Sequence, residues 1–183
     1  MQCGGRRARA VAISAVTNAQ SIPPLVLNAN LNLDGVCEAI TAEANQVTVM
    51  NGATMSPLVR IRGDALEDGF GSAVLVIPDS NGDGEPELLI AAPSAFGGRG
   101  AIYLFRSPWM SPCSEFVSAA RADAVVRVPD EDVAVTMFGV GLREMFDIDG
   151  DAMSEVQVFA RTVNAQGEPS VRVYIFSPSR AEV

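Results

Sequence analysis

An all-β fold assembled from repeated, four-stranded antiparallel units is what this sequence predicts, and three observations carry the prediction. First, the segment LVRIRGDALEDGFGSAVLVIPDSNGDGEPELLIAAP returns in degenerate form as VVRVPDEDVAVTMFGVGLREMFDIDGDAMSEVQVFAR. Second, short runs rich in β-branched and aromatic residues alternate with Gly, Pro, Asn and Asp clusters, the pattern of strands joined by turns. Third, apart from one doubtful stretch, no window sustains the apolar period of an amphipathic helix. Short strands in units of about 50–70 residues read as blades of the β-propeller type, about three of them, forming a partial propeller. A β-sandwich of the same strands is the rival, and the repeat argues against it.

Taken in order, residues 1–21 form a tail in which AVAISAV is a candidate closing strand. Residues 22–183 hold the repeats, with blades at about 22–62, 70–128 and 138–178. QVTVM and LVRI are strands of the first blade. SAVLVI, ELLIAA, GAIYLF and AVVRV supply the second, and VFA and VRVYIF belong to the third. SEFVSAARADAVV is the doubtful stretch and reads as a short helix within a connection. Phe70-Gly71 and Phe138-Gly139 set a period of 68 residues, and each Phe lies nine residues before an aspartate, Asp79 or Asp147. YLFRSP from Tyr103 and YIFSP from Tyr174 mark a later strand in each unit. A weaker copy begins NLNLDGVCEAI at Asn30. The last unit lacks an outer fourth strand, which leaves three arrangements open: a fragment of a larger propeller, a homo-oligomer, or a small open array.

Composition excludes much. The 183 residues contain 22 Asp+Glu against 13 Lys+Arg, all of them Arg, for a formal charge of −9, and no His. Without His there is no Ser-His-Asp or Cys-His catalysis and no His-ligated zinc. The acidity argues against nucleic-acid binding, which needs a basic face. At 48% apolar and 19% charged residues the composition is that of a folded domain rather than a disordered chain. No apolar run approaches the ~20 residues of a membrane-spanning helix. The start, MQCGGRRARA, has no apolar signal core, although Cys-Gly-Gly resembles the mature end of a bacterial lipoprotein. Cys3, Cys37 and Cys113 are too few for a disulfide framework; one Cys37–Cys113 bridge stays open beside free thiols.

Chemistry concentrates in the turn between the first two strands of each unit. In the middle unit it runs Asp79-Ser80-Asn81-Gly82-Asp83-Gly84-Glu85-Pro86-Glu87, with oxygen-bearing side chains at positions 1, 3, 5 and 9 and Gly at position 6. Ca²⁺ takes six to eight oxygens, and alternate side chains of a tight loop converge to supply them. The carbonyl of Glu85 is a further donor. In the third unit Asp147, Asp149, Asp151 and Glu155 occupy the same positions, with Met153 at the carbonyl position and Ala152 in place of Gly. That replacement strains any turn requiring positive φ. The first unit offers Asn30, Asn32, Asp34 and Glu38, with Val36 at the carbonyl position and only two carboxylates. The middle loop, with Gly at position 6, ranks first; the third, with Ala152 there, next; and the first, with only two carboxylates, last. An EF-hand is rejected because position 12 is Ile90, Val158 or Thr41 rather than Glu and the flanks are strands. The competing reading is a solvated Asp/Asn/Gly hairpin with no ion.

These residues resemble the FG-GAP repeat of integrin α-subunit propellers. Phe70-Gly71 matches its Phe-Gly, Ala91-Ala92-Pro93 matches Gly-Ala-Pro, and Asp79–Glu87 matches the calcium hairpin between them. The unit from Phe138 keeps the Phe-Gly and the loop but has Phe159-Ala160-Arg161 where Gly-Ala-Pro belongs; the Asn30 unit has lost both flanks. The resemblance implies four-stranded blades, Ca²⁺ hairpins, a surface or periplasmic location, and non-catalytic binding of a protein or carbohydrate ligand. The alternative is a structural part of a larger secreted or surface hydrolase, without a ligand site of its own. Arg62-Gly63-Asp64 lies at a strand end and is discounted as a recognition tripeptide. Phe70, Phe138, Tyr103, Phe105, Tyr174 and Phe176 are assigned to the core, and Trp109 to a partly buried place in an irregular stretch. Paired carboxylates can serve a glycosidase, but these have metal-ligand spacing and no separate proton donor.

Overall fold

The computed structural model describes residues 25–43, 45–106, 116–132, 134–164 and 166–180. The expected closing strand AVAISAV, Trp109, Cys3 and Cys113 lie outside these residues. Among the described residues, three sheets account for nearly all regular structure. In the first, β1 (Leu25–Ala29), β2 (Glu38–Glu43), β3 (Gln46–Met50) and β4 (Pro57–Arg62) run antiparallel in chain order. The second begins with β5 (Ala73–Ile77), β6 (Glu87–Ala92) and β7 (Ala101–Arg106), again antiparallel. The chain next lays β8 (Phe116–Ser118) parallel to β4 on the edge of the first sheet, then returns as β9 (Ala124–Val126) beside β7. β10 (Thr136–Glu144), β11 (Val156–Val163) and β12 (Pro169–Phe176) make the third, three-stranded sheet.

The expected short helix in SEFVSAARADAVV is corrected. From Phe116 onward the stretch is β8, a single 3-10 turn at Ala119–Arg121, and β9. Pairing with β4 and β7 satisfies the backbone at either end. The Ser118 hydroxyl accepts the Ala120 N–H at 3.1 Å and caps only that turn.

Strand periodicity explains the stacking. Alternate residues of one strand face opposite ways, so a sheet buried on both sides needs apolar residues at every position. From Leu88 to Ala92 β6 meets that condition, and together with Glu87 at its start it is buried from end to end. Leu88 and Ile90, with Tyr103 and Phe105, join Ile40, Val47, Val49, Val59 and Ile61 of the first sheet in one core. Leu89, Ile102 and Leu104 point the other way and join Val156, Val158 and Ala160 of the third sheet. Each fully buried Leu or Ile contributes roughly 1.5–3 kcal/mol.

The Phe-Gly pairs sit at these seams. Phe70 packs edge-on against Tyr103, with centroids 5.4 Å apart at 70°. Phe138 repeats the contact on Tyr174 at 5.4 Å and 77°. All four aromatics therefore have the core role read from their recurrence. The glycine that follows lets the new strand approach the preceding sheet: a Cβ on Gly71 would lie 3.1 Å from Val47 Cγ2, and one on Gly139 3.2 Å from Ala91 Cβ. Each sheet then opens with a hairpin whose turn is one of the acidic loops.

Candidate metal centre

The three loops share one hydrogen-bond scheme, dictated by which backbone N–H groups a short turn leaves unpaired. At position 1, Asp79 Oδ1 accepts from Gly82 N and Oδ2 from Gly84 N, both at 2.7 Å. Asp147 does the same with Gly150 N at 2.7 Å and Ala152 N at 2.8 Å. In the first loop Asn30 Oδ1 takes only the Gly35 N–H, at 3.3 Å. At position 3, Asn81 Oδ1 accepts from Asp83 N at 2.8 Å, and Asn32 and Asp149 do likewise for Asp34 and Asp151. At position 5, Asp83, Asp151 and Asp34 accept from the N–H of Glu85, Met153 and Val36 at 2.8, 2.9 and 2.8 Å. Those three residues stand at the expected carbonyl position.

Position 9 is the anchor. Glu38, Glu87 and Glu155 are each 1% exposed. One oxygen of each accepts the N–H of the position-2 residue: Leu31 at 2.6 Å, Ser80 at 2.9 Å and Ile148 at 2.7 Å. The other oxygen, Oε1, is buried in all three without a hydrogen-bond partner. An orphaned buried carboxylate oxygen costs free energy, and it recurs at one position of all three loops.

Carboxylates converge around that oxygen. Asp147, Asp149, Asp151 and Glu155 offer ligand atoms within 4.8 Å of one another, as do Asp79, Asp83 and Glu87. In the first loop, position 1 is Asn30, position 3 is Asn32, and the carboxylates are Asp34 and Glu38 alone. Hard oxygen donors with no thiol or imidazole fit Ca²⁺ rather than a softer metal. Burial, opposed by the Ser80 N–H and reinforced by Asp79 and Asp83, pushes the Glu87 carboxyl up to about 7. Burial also raises Glu38. For Asp79 burial works upward, but the N–H groups of Gly84, Gly82, Asn81 and Asp83 outweigh it and hold the carboxyl below its ordinary value. Val36 N–H does the same for Asp34, helped by Asn32.

Sequence reasoning anticipated positive φ at position 6 and missed it at position 4. Gly84, Gly35 and Ala152 have φ of 87°, 87° and 67° at position 6; Gly82, Gly150 and Leu33 have 85°, 83° and 59° at position 4. The signal was present, since two loops carry Gly at position 4. Only the middle loop has Gly at both. The reading also missed Ser179, whose hydroxyl donates to Asp151 Oδ2 at 2.7 Å from beyond β12. Arg62-Gly63-Asp64 is tied down at the end of β4: Arg62 stacks 5.1 Å from the Phe116 centroid, Gly63 is buried, and Asp64 accepts from the Ser118 hydroxyl at 3.3 Å.

Face-to-face hairpin sheets, each opening on an acidic turn, define a β-propeller-type repeat module. Its middle unit has a specific match: residues 70–105 match the model of the FG-GAP repeat. The chain is also 32% identical over 118 residues to Integrin alpha-PS5 of Drosophila melanogaster, a stretch covering 61% of this chain and 11% of that protein. The chain is thus similar to an integrin α subunit, and it spans only a small part of that protein's length.

Proposed function

We propose that this chain is a non-catalytic, extracytoplasmic recognition or adhesion module whose acidic hairpins hold Ca²⁺ and present a binding surface for a protein or glycan. The observation that carries the metal assignment is the buried, unpartnered Oε1 of Glu38, Glu87 and Glu155. The middle site would draw on Asp79, Asn81, Asp83, the Glu85 carbonyl and Glu87. The third would draw on Asp147, Asp149, Asp151, the Met153 carbonyl and Glu155. The first, with Asn30, Asn32, Asp34, the Val36 carbonyl and Glu38, is the weakest by charge. A bound cation would neutralise carboxylates that otherwise repel across a short turn. Cys37 is disulfide-bonded, its partner outside the described residues, which supports an oxidising compartment. Among the described residues no helix is long and apolar enough to cross a membrane. The likeness to an integrin α subunit supports recognition as the role.

Calorimetric titration of EDTA-stripped protein with Ca²⁺ tests the proposal. At least one site is expected, with its heat lost in Asp79→Ala plus Asp83→Ala. No binding at millimolar Ca²⁺ would leave the loops as solvated turns.

A further inference from the structure

We infer that Ser179, on the turn that follows β12, is a positioning residue of the third acidic loop. Its hydroxyl holds Asp151 in the orientation that the other two loops obtain from an asparagine of their own. The inference rests on the reading of these loops as Ca²⁺ sites, and it starts from the aspartate at position 5. Asp34, Asp83 and Asp151 each commit Oδ1 to the N–H two residues on, at 2.8, 2.8 and 2.9 Å. A donor to Oδ2 is then what stops the carboxylate from swinging. In the first loop the Asn32 side-chain amide donates to Asp34 Oδ2 at 2.9 Å, and in the middle loop the Asn81 amide donates to Asp83 Oδ2 at 2.9 Å. The third loop has Asp149 at that position. An ionised carboxylate accepts and does not donate, so Asp149 cannot make the bond that Asn32 and Asn81 make.

The third loop draws its donor from outside. β12 runs antiparallel to β11, and its last residue, Phe176, pairs with Val156, the first residue of β11 after the loop. The 3-10 turn Pro178–Arg180 follows, and Ser179 donates to Asp151 Oδ2 at 2.7 Å. Pro178 is buried, and the Ser177 and Ser179 hydroxyls lie 2.9 Å apart. The first unit has a residue at the corresponding place: Asn51, one position past β3, reaches Asp34 Oδ2 with its amide at 3.4 Å. The chain leaving the third strand of a unit thus twice delivers a polar side chain to the position-5 aspartate. In the first unit it supplements Asn32; in the third it stands in where position 3 has no amide. That exchange lets position 3 carry a further carboxylate while Asp151 stays oriented. Asp147, Asp149, Asp151 and Glu155 still converge within 4.8 Å, beside the buried, unpartnered Oε1 of Glu155. A carboxylate has about four acceptor sites, so two hydrogen bonds leave Asp151 capacity for a cation. A ligand group fixed before binding loses less freedom on binding, and Ser179 thereby raises affinity at this loop alone.

Ca²⁺ titration of the full chain followed by amide NMR tests this, because it reads each loop separately. Gly150 and Ala152, bonded to Asp147, report the third loop; Gly82 and Gly84, bonded to Asp79, report the middle one. Ser179→Ala should weaken Ca²⁺ binding at the third loop by about two- to tenfold, the worth of one hydrogen bond, and leave the middle loop unchanged. Asp149→Asn removes a charge but supplies the amide of the other two loops. Adding Ser179→Ala to that variant should therefore cost less than about twofold. Unchanged third-loop affinity in Ser179→Ala overturns the inference, as does a loss of the same size in the Asp149→Asn background. Equal weakening of the middle loop overturns it too, since the effect would then belong to the whole fold. Absence of Ca²⁺-dependent shifts at Gly150 and Ala152 in the unsubstituted chain overturns this inference alone; their absence at Gly82 and Gly84 as well overturns the metal assignment with it.

Discussion

Replacing Glu87 by Gln should change the protein's stability with opposite signs in the absence and presence of Ca²⁺. The side chain is almost fully covered, one oxygen accepts from Ser80 N at 2.9 Å, and the other has no partner. A Gln oxygen keeps the first bond, and the substitution removes the charge while setting an amide NH2 where the unpartnered oxygen stood. Burial raises this carboxyl from 4.5 to about 7. Because the folded value lies above the unfolded one, the stabilising contribution is full below the unfolded value and is lost as pH rises through the folded one. The gap corresponds to a ceiling of about 3.4 kcal/mol at 1.36 kcal/mol per pH unit. The carboxyl lies at the base of a loop whose Asn81, Gly82, Asp83 and Gly84 are exposed, so nearby water screens it and roughly 1–2 kcal/mol is the realistic magnitude. In EDTA at pH 8 the variant should therefore be more stable by about that amount, and at pH 4 equal to the parent. In Ca²⁺ the order should reverse, because a site at a hundredfold excess over Kd stabilises by about 2.7 kcal/mol and the variant has lost a ligand. Urea unfolding at the two pH values, with EDTA or Ca²⁺, measures all of this. Destabilisation by Glu87→Gln in EDTA at pH 8, or an undiminished Ca²⁺ response, would refute the reasoning.

Three further outcomes follow from the backbone and the core. Ala152 has φ of 67°, so Ala152→Gly relieves left-handed strain of roughly 1–2 kcal/mol at an entropic cost of about 0.4–1. Calorimetry should register a net gain of about 0–1.6 kcal/mol, and tighter Ca²⁺ binding at the third loop. Gly139→Ala forces a side chain to φ of 88° and to 3.2 Å from Ala91 Cβ, and should lose about 1–3 kcal/mol in denaturant unfolding. Leu104→Ala, in the seam between the second and third sheets, should cost about 2–5 kcal/mol, while Ile175→Ala at the equivalent exposed place should stay within about 0.5 kcal/mol for the isolated chain.

What could be read from the sequence was whatever local periodicity and turn chemistry dictate. ELLIAA, an apolar run bounded by turn residues, read as a strand, and β6 is one. Asp79–Glu87 carries Asp, Asn and Gly at turn spacing, and the residue types alone placed a tight acidic hairpin between two strands. The stretch beginning at Ser114 misled because a few alanines satisfy a helical pattern as readily as a strand. Its state from Phe116 onward was decided by unpaired edges on β4 and β7, which belong to distant residues.

Other features exist only in three dimensions. The burial of Glu38, Glu87 and Glu155, and the unpartnered Oε1 it leaves on each, is not contained in a sequence that offers them only as position-9 oxygens. The difference between Leu104 and Ile175, alike in pattern and opposite in exposure, depends on whether a further sheet lies alongside. Spacing along a chain specifies which side chains share a face, because strand geometry is local. What covers that face is set by contacts between segments far apart in sequence, and only the folded arrangement contains them.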